Sequence, residues 1–148
     1  MNREKAKTVC DRIHEIGFEN RKNVGFEELL GKTITEIFGA EEESEEILIV
    51  CSDGSMYVMH HNQDCCECVT VDDICGDIEN LIGKPLLKAE EVTSDCLEDG
   101  CPPAKYEFDY SYTWTFYHLA TIRGYVTIRW YGTSNGYYSE KVDFVRIK

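Results

Sequence analysis

The stretch Tyr110-Ser111-Tyr112-Thr113-Trp114-Thr115-Phe116-Tyr117-His118 decides the fold. Rings at 110, 112, 114, 116 and 118 alternate with small hydroxyl residues at 111, 113 and 115, a period of two that suits a strand and not a helix. Aromatic and β-branched residues also fit a pleated, half-buried surface. A tight link at Arg123-Gly124 leads into a second apolar run, Tyr125–Tyr131. Ser134-Asn135-Gly136 then precedes a third, Tyr137–Ile147, so the sequence predicts three antiparallel strands in a row. For the last hairpin, a two-residue Asn135-Gly136 turn sets Ile128 opposite Asp143. A three-residue loop with Gly136 in the left-handed region pairs Ile128 with Val142 and Val126 with Phe144. Only the second keeps apolar residues on one face, with Thr127, Arg129 and Tyr131 on the other.

Upstream, Ile47–Cys51 and Met56–His61 flank Asp53-Gly54 and read as a hairpin. Lys32-Thr33-Ile34 begins a strand, Cys65–Val71 forms another, and Pro85–Val92 a further one. Asp72 and Asp73 precede Ile74–Ile82, and early carboxylates favour the positive end of a helix dipole, so a helix is expected near residues 72–82, closed by Gly83. Val9, Ile13 and Ile16, with Cys10 beside them, recur at helical spacing, which predicts a helix over Arg3–Ile16 stopped by Gly17. The expected architecture is therefore α+β: a mainly antiparallel sheet of about six strands, an N-terminal helix and one helix near 72–82. Residues 1–24 form a helical extension and residues 25–148 a single domain.

The chain carries 148 residues and a net charge of −13. Acidity of that size argues against direct binding to a phosphate backbone, which needs clustered Lys and Arg. The longest uninterrupted apolar run, Ile47–Cys51, is far short of the roughly 20 residues of a membrane span. The opening residues lack the apolar core of a secretory signal, so the expected location is the cytoplasm, with eight reduced cysteines. The charge is uneven: residues 1–104 hold 9 basic and 24 acidic side chains, whereas residues 105–148 hold 6 and 4 and also 13 of the 17 aromatics. The aromatic third reads either as sheet core or as a surface of guanidinium groups and ring faces that accepts a planar anion.

The densest chemistry is His60-His61-Asn62-Gln63-Asp64-Cys65-Cys66-Glu67-Cys68. Imidazole, thiolate and carboxylate all ligate zinc, so His60, His61, Asp64, Cys66 and Glu67 are candidate metal ligands. Against this, neighbouring strand residues face opposite sides, so His60 and His61 cannot both reach one metal unless the chain bends between them. The alternative is a polar loop whose imidazoles and carboxylates bond each other or a ligand. Cys96 and Cys101 can close a small disulfide if oxidised. The turn Thr133–Glu140, with Tyr137 and Tyr138, is a second candidate site.

Two passages together, His60-His61-x-x-Asp64-Cys65-Cys66-Glu67 and Thr113-Trp114-Thr115-Phe116-Tyr117 followed by Ser134-Asn135-Gly136-Tyr137-Tyr138-Ser139-Glu140, resemble a family of small uncharacterised proteins common in bacteriophages and prophages. The resemblance spans roughly Leu29 to Phe144. It implies an accessory protein of the host bacterial cytoplasm, where such proteins often blunt defence. The leading expectation is a non-enzymatic sponge that sequesters a small anionic nucleotide-like immune signal. Arg123 and Arg129 would pair with the anion, Trp114, Tyr131, Tyr137 and Tyr138 would supply stacking surfaces, and His60, His61, Asp64 and Asn135 would orient the ligand. No cofactor is required, and a dimer through stacked sheets fits such a module. The rival is an acidic, DNA-mimic-like inhibitor that covers a host defence protein through Glu41–Glu46 and Asp72–Glu79. A zinc- or thiol-dependent enzyme is the third alternative.

Overall fold

The computed structural model describes residues 21–95 and 102–148. The expected helix over Arg3–Ile16 and the Cys96–Cys101 pair lie outside these residues. Among the described residues, nine strands form two antiparallel sheets. The strands are β1 (Lys22–Asn23), β2 (Ile34–Phe38), β3 (Glu46–Cys51), β4 (Met56–His60), β5 (Cys68–Cys75), β6 (Lys88–Asp95), β7 (Ser111–Thr121), β8 (Gly124–Ser134) and β9 (Asp143–Arg146). One sheet has the order β1-β9-β4-β3-β2 and the other β5-β8-β7-β6. Two short 3-10 turns, Phe26–Leu29 and Ile78–Leu81, are the helical elements among the described residues, and no helix there is long and apolar enough to cross a membrane.

The α+β expectation is therefore corrected to a two-sheet β architecture. Where a helix was expected near 72–82, β5 continues to Cys75 and only the 3-10 turn Ile78–Leu81 follows. The reason lies across the strand. Asp73 pairs with Arg129 and Ile74 with Ile128 of β8, with a register shift between Val71 and Asp73. Opposite charges and matched apolar neighbours on adjacent strands outweigh a weak dipole preference. Gly76 then turns the chain at φ 105°, where a Cβ would lie 2.4 Å from the Tyr125 carbonyl oxygen, so only glycine fits.

β7 and β8 pair from Ser111↔Ser134 to Thr121↔Gly124, so Ile122 and Arg123 make the tight turn. β3 and β4 pair from Glu46↔His60 to Val50↔Met56 around Asp53-Gly54. The third expected pairing is overturned. β9 lies in the other sheet, with Tyr57↔Arg146 and Met59↔Phe144 on β4, while β8 takes β5 and β7 as neighbours. The apolar logic survives in altered form: Ile128, Val126, Val142 and Phe144 all enter one core cluster, but they meet across the space between sheets and not side by side. Residues 135–142 carry the chain from one sheet to the other.

That core takes Ile47, Ile49, Tyr57, Met59 and Phe144 from one sheet and Val69, Val71, Tyr117, Leu119, Ile128 and Trp130 from the other. Along β7 the odd positions Thr113, Thr115, Tyr117, Leu119 and Thr121 are buried inward, which leaves Tyr112, Phe116 and His118 half-buried on the outer face. Leu48, Val58, Val145 and Ile147 form a second buried cluster on the opposite face of the first sheet.

Candidate functional site

Three of the expected site residues meet on the outer face of the second sheet. Trp114 stands opposite Tyr131 in register, with ring centroids 4.4 Å apart, and the Arg129 guanidinium lies 5.3 Å from the Trp114 ring. The charge is already answered. Arg129 Nε donates to Asp72 Oδ2 at 2.8 Å, Arg129 Nη2 lies 2.6 Å from the same oxygen, and Lys105 Nζ lies 2.6 Å from Asp72 Oδ1. Burial alone would raise the Asp72 carboxyl, but the Lys105 and Arg129 bonds outweigh it and hold the group below its ordinary range. The rings are covered too. Trp114 Nε1 donates to the Pro103 carbonyl at 3.2 Å, and Tyr131 Oη accepts from the Lys105 N–H at 3.0 Å while donating to Asp109 at 2.7 Å. Each ring is only 7% exposed. Burial, with the Asp109 bond, pushes the Tyr131 phenol well up, so it stays a neutral donor. A hollow of about 290 Å³ remains beside Tyr131, lined also by Cys68, Thr70, Lys105 and Tyr106.

Arg123 is elsewhere. It sits in the β7–β8 turn, where Nη1 donates to the Ile82 carbonyl at 3.0 Å. At about 3.3 Å per strand residue, that is roughly 20 Å or more from Trp114.

The His-rich loop and the crossover after β8 come together. His61 Nδ1 donates to the Lys141 carbonyl at 2.6 Å, and His61 Nε2 lies 3.3 Å from Glu67 Oε1. That oxygen also accepts from the N–H groups of Asp64 and Cys65. Burial opposes the Glu67 carboxylate, yet these backbone donors and His61 keep it below its ordinary range. Bonding to the Cys65 side chain pushes the Tyr138 phenol up. Asn135 Oδ1 accepts from the Tyr137 N–H at 2.9 Å, shaping the turn on which Tyr137 and Tyr138 pack edge to face at 5.1 Å. Glu140 fastens the crossover, accepting from Ser111 and Ser134 at 2.6 Å and from Thr113 at 2.8 Å. These bonds tie residues of the two quoted motifs into the fold.

His60 looks the other way, into a hollow of about 80 Å³ shared with Asn23, Asn62 and Asp143. Burial holds its imidazole below the usual value. His60, His61, Asp64, Cys66 and Glu67 thus do not converge, and among the described residues no group of three or more His, Cys, Asp or Glu is placed to hold a metal ion.

A further hollow was not expected from the sequence. A cleft of about 720 Å³ opens between β6, the last strand of its sheet among the described residues, and the segment that follows β1. Phe26 and Phe144 line it, with Glu27, Glu90, Glu91 and Asp143 as its carboxylates and Lys141 as its one cation among the described residues. Glu90 lies 3.6 Å from Lys88, and Asp143 takes the Asn62 N–H at 3.0 Å and lies 3.6 Å from Lys141. Glu27 and Glu91 have no ion pair among the described residues. The available signal was the alternation Ala89-Glu90-Glu91: with Ala89 turned into the core, Glu91 must share its side of an edge strand.

Residues 27–144 match a family described as "Domain of unknown function (DUF7448)", and the chain belongs to that family. No curated protein and no solved structure matches it.

Proposed function

We propose that this DUF7448 protein is an acidic binding module that covers a basic patch on a partner protein. The cleft carries this reading. It encloses about 720 Å³, and its four carboxylates against one ammonium among the described residues favour a cation and repel a phosphate. The overall charge of −13 adds long-range attraction for basic surfaces. The resemblance of the motifs to phage and prophage proteins extends the proposal: the setting is a bacterial host cytoplasm, and the partner is a defence protein.

The test is a melting curve at low salt with an arginine-rich octapeptide, and in parallel with cyclic nucleotides and ADP-ribose. Specific binding to the folded state must raise the melting temperature. The reading expects a rise with the peptide that fades as salt is added, and none with the nucleotides. A rise with a nucleotide and none with the peptide contradicts it.

A second reading, sequestration of an anionic nucleotide-like ligand, draws support from the meeting of Trp114, Arg129 and Tyr131. It requires the chain at Pro103–Asp109 to lift and the Asp72 carboxylate to yield its place to the ligand.

A further inference from the structure

The loop before β5 presents two thiols side by side. Cys65 and Cys66 are both exposed and free. Neighbouring residues of a regular strand point to opposite faces. Here the chain bends at both positions before β5 begins at Cys68, and the Cys66 thiol is hydrogen-bonded to that of Cys65. The bend is pinned. Gln63 Nε2 donates to the Cys65 carbonyl at 3.1 Å and to the Glu67 carbonyl at 2.5 Å. Glu67 Oε1 accepts from the N–H groups of Asp64, at 2.5 Å, and Cys65, at 3.2 Å. That carboxylate is buried and lies 3.3 Å from His61 Nε2. From the crossover after β8, the Tyr138 phenol bonds the Cys65 side chain. The bond to Cys65 pushes the Cys66 thiol up, so Cys66 keeps its proton at neutral pH, and thiols oxidise less readily than thiolates. Closure to a disulfide is opposed as well. Adjacent Cα atoms lie about 3.8 Å apart across a trans peptide, short of the roughly 4.4–6.8 Å that such a bridge spans.

We propose that Cys65 and Cys66 form a capture site for a monosubstituted trivalent arsenical, with one arsenic atom bonding both sulfurs. An inserted atom widens the ring that a direct S–S bond would strain, and sulfur ligands suit a soft, thiophilic acceptor. The step balances without an oxidant. From R–As=O, two S–H bonds break, two As–S bonds form, and the oxygen leaves with both protons as one water. Arsenic stays trivalent, and its substituent R fills the third position, so two protein ligands suffice. A metal ion that needs three or four protein ligands finds no such group among the described residues. The other described cysteines offer no equivalent pair: Cys51 is buried, and Cys68 and Cys75 stand at opposite ends of β5, about 20 Å apart at the rise of a strand.

The experiment treats the reduced full chain with phenylarsine oxide and follows the adduct by native mass spectrometry. Glutathione, a monothiol, and 2,3-dimercaptopropanol, a dithiol, serve as competitors. Wild type, Cys65→Ser, Cys66→Ser, the double variant and Cys68→Ser are compared, with melting curves as the check on folding. The expected result is one phenylarsine per chain, formed with loss of one water, that survives excess glutathione and is released by the dithiol. Cys65→Ser and Cys66→Ser each lose the two-sulfur hold and should weaken capture about a hundredfold, whereas Cys68→Ser leaves it unchanged. Gln63→Ala keeps both thiols but frees the bend and should weaken capture about fivefold. A double variant that holds as much arsenic as wild type overturns the proposal, as does a wild-type adduct that glutathione strips away. An undiminished hold in Gln63→Ala overturns the pinned bend as its cause. Neither thiol takes part in the acidic-binding reading, so that reading stands or falls separately, on the peptide melting curves.

Discussion

On the outer face of β5-β8-β7-β6, one carboxylate sits between two cations, and two large rings lie under a strap of chain; in the cleft beside β6, carboxylates outnumber cations above buried rings. Both places combine aromatic and charged residues, the ingredients of a binding site. They differ in whether the protein has already satisfied them. Asp72, with a side chain 7% exposed, spends its charge on Arg129 and Lys105, and Tyr131 and Trp114 spend their polar atoms on Asp109, Lys105 and Pro103. That region behaves as a fastening for the residues 102–109. The cleft keeps Glu27 and Glu91 without an ion pair among the described residues. Residue type alone does not mark a site; uncompensated chemistry next to open space does.

If the first region is a fastening, breaking it should cost stability and not binding. Asp72→Ala leaves two cations facing each other without their carboxylate. A fully buried pair broken in this way costs several kcal/mol, but both cations are 40% exposed, so about 2 kcal/mol is expected in urea denaturation. A red shift in tryptophan emission should accompany it as Trp114 loses its cover. A binding role for Arg129 would show instead as unchanged stability.

The same contact sets a pH dependence. The folded Asp72 carboxyl lies below its unfolded value of roughly 3.9. Its contribution is therefore fully present above that value and lost as pH falls through the folded one. Acid titration of the unfolding free energy should show a steep loss below about pH 4 in wild type and a shallower one in Asp72→Asn. Parallel curves would show that the carboxyl is not held by its partners.

Arg129→Lys keeps the charge but loses the Nε–Asp72 bond and the planar face over Trp114, and about 1 kcal/mol of destabilisation is expected. The smallest effect belongs to the other region. Glu27→Gln with Glu91→Gln should change stability by no more than about 0.5 kcal/mol, since neither carboxylate holds an ion pair and the chain gains by shedding negative charge. A loss of 2 kcal/mol there would give the cleft a structural role and erase the contrast.

Strand alternation made much of the sheet legible in advance. The period of two in Tyr110–His118 gives β7, and Asp53-Gly54 gives the β3–β4 turn, because both signals are local. The last pairing was not legible, since an apolar face on Val142 and Phe144 is satisfied equally by a neighbour in the same sheet or by a facing sheet. The helix expected near 72–82 failed because the decisive partner of Asp73 lies 56 positions downstream at Arg129. Of the residues named together from the sequence, Trp114, Arg129 and Tyr131 lie side by side, whereas Arg123 does not join them, and the loop holding His61 and Asp64 meets the Tyr138 turn that the sequence offered as a separate candidate. The sequence was silent on the carboxylate that neutralises Arg129 and on the cleft, which forms only when β6, β9 and the segment after β1 meet.

The central claim is that the acidic cleft, and not the ion-paired arginine and aromatic patch, receives the ligand. Amide shift mapping by NMR, with the arginine-rich octapeptide in one series and ADP-ribose in the other, addresses both regions at once. The account predicts peptide-induced shifts gathered at residues 23–27, 89–93 and 141–144, with ADP-ribose moving nothing. Shifts at Trp114, Arg129 and Tyr131 on adding ADP-ribose, with the cleft unmoved by the peptide, would contradict it.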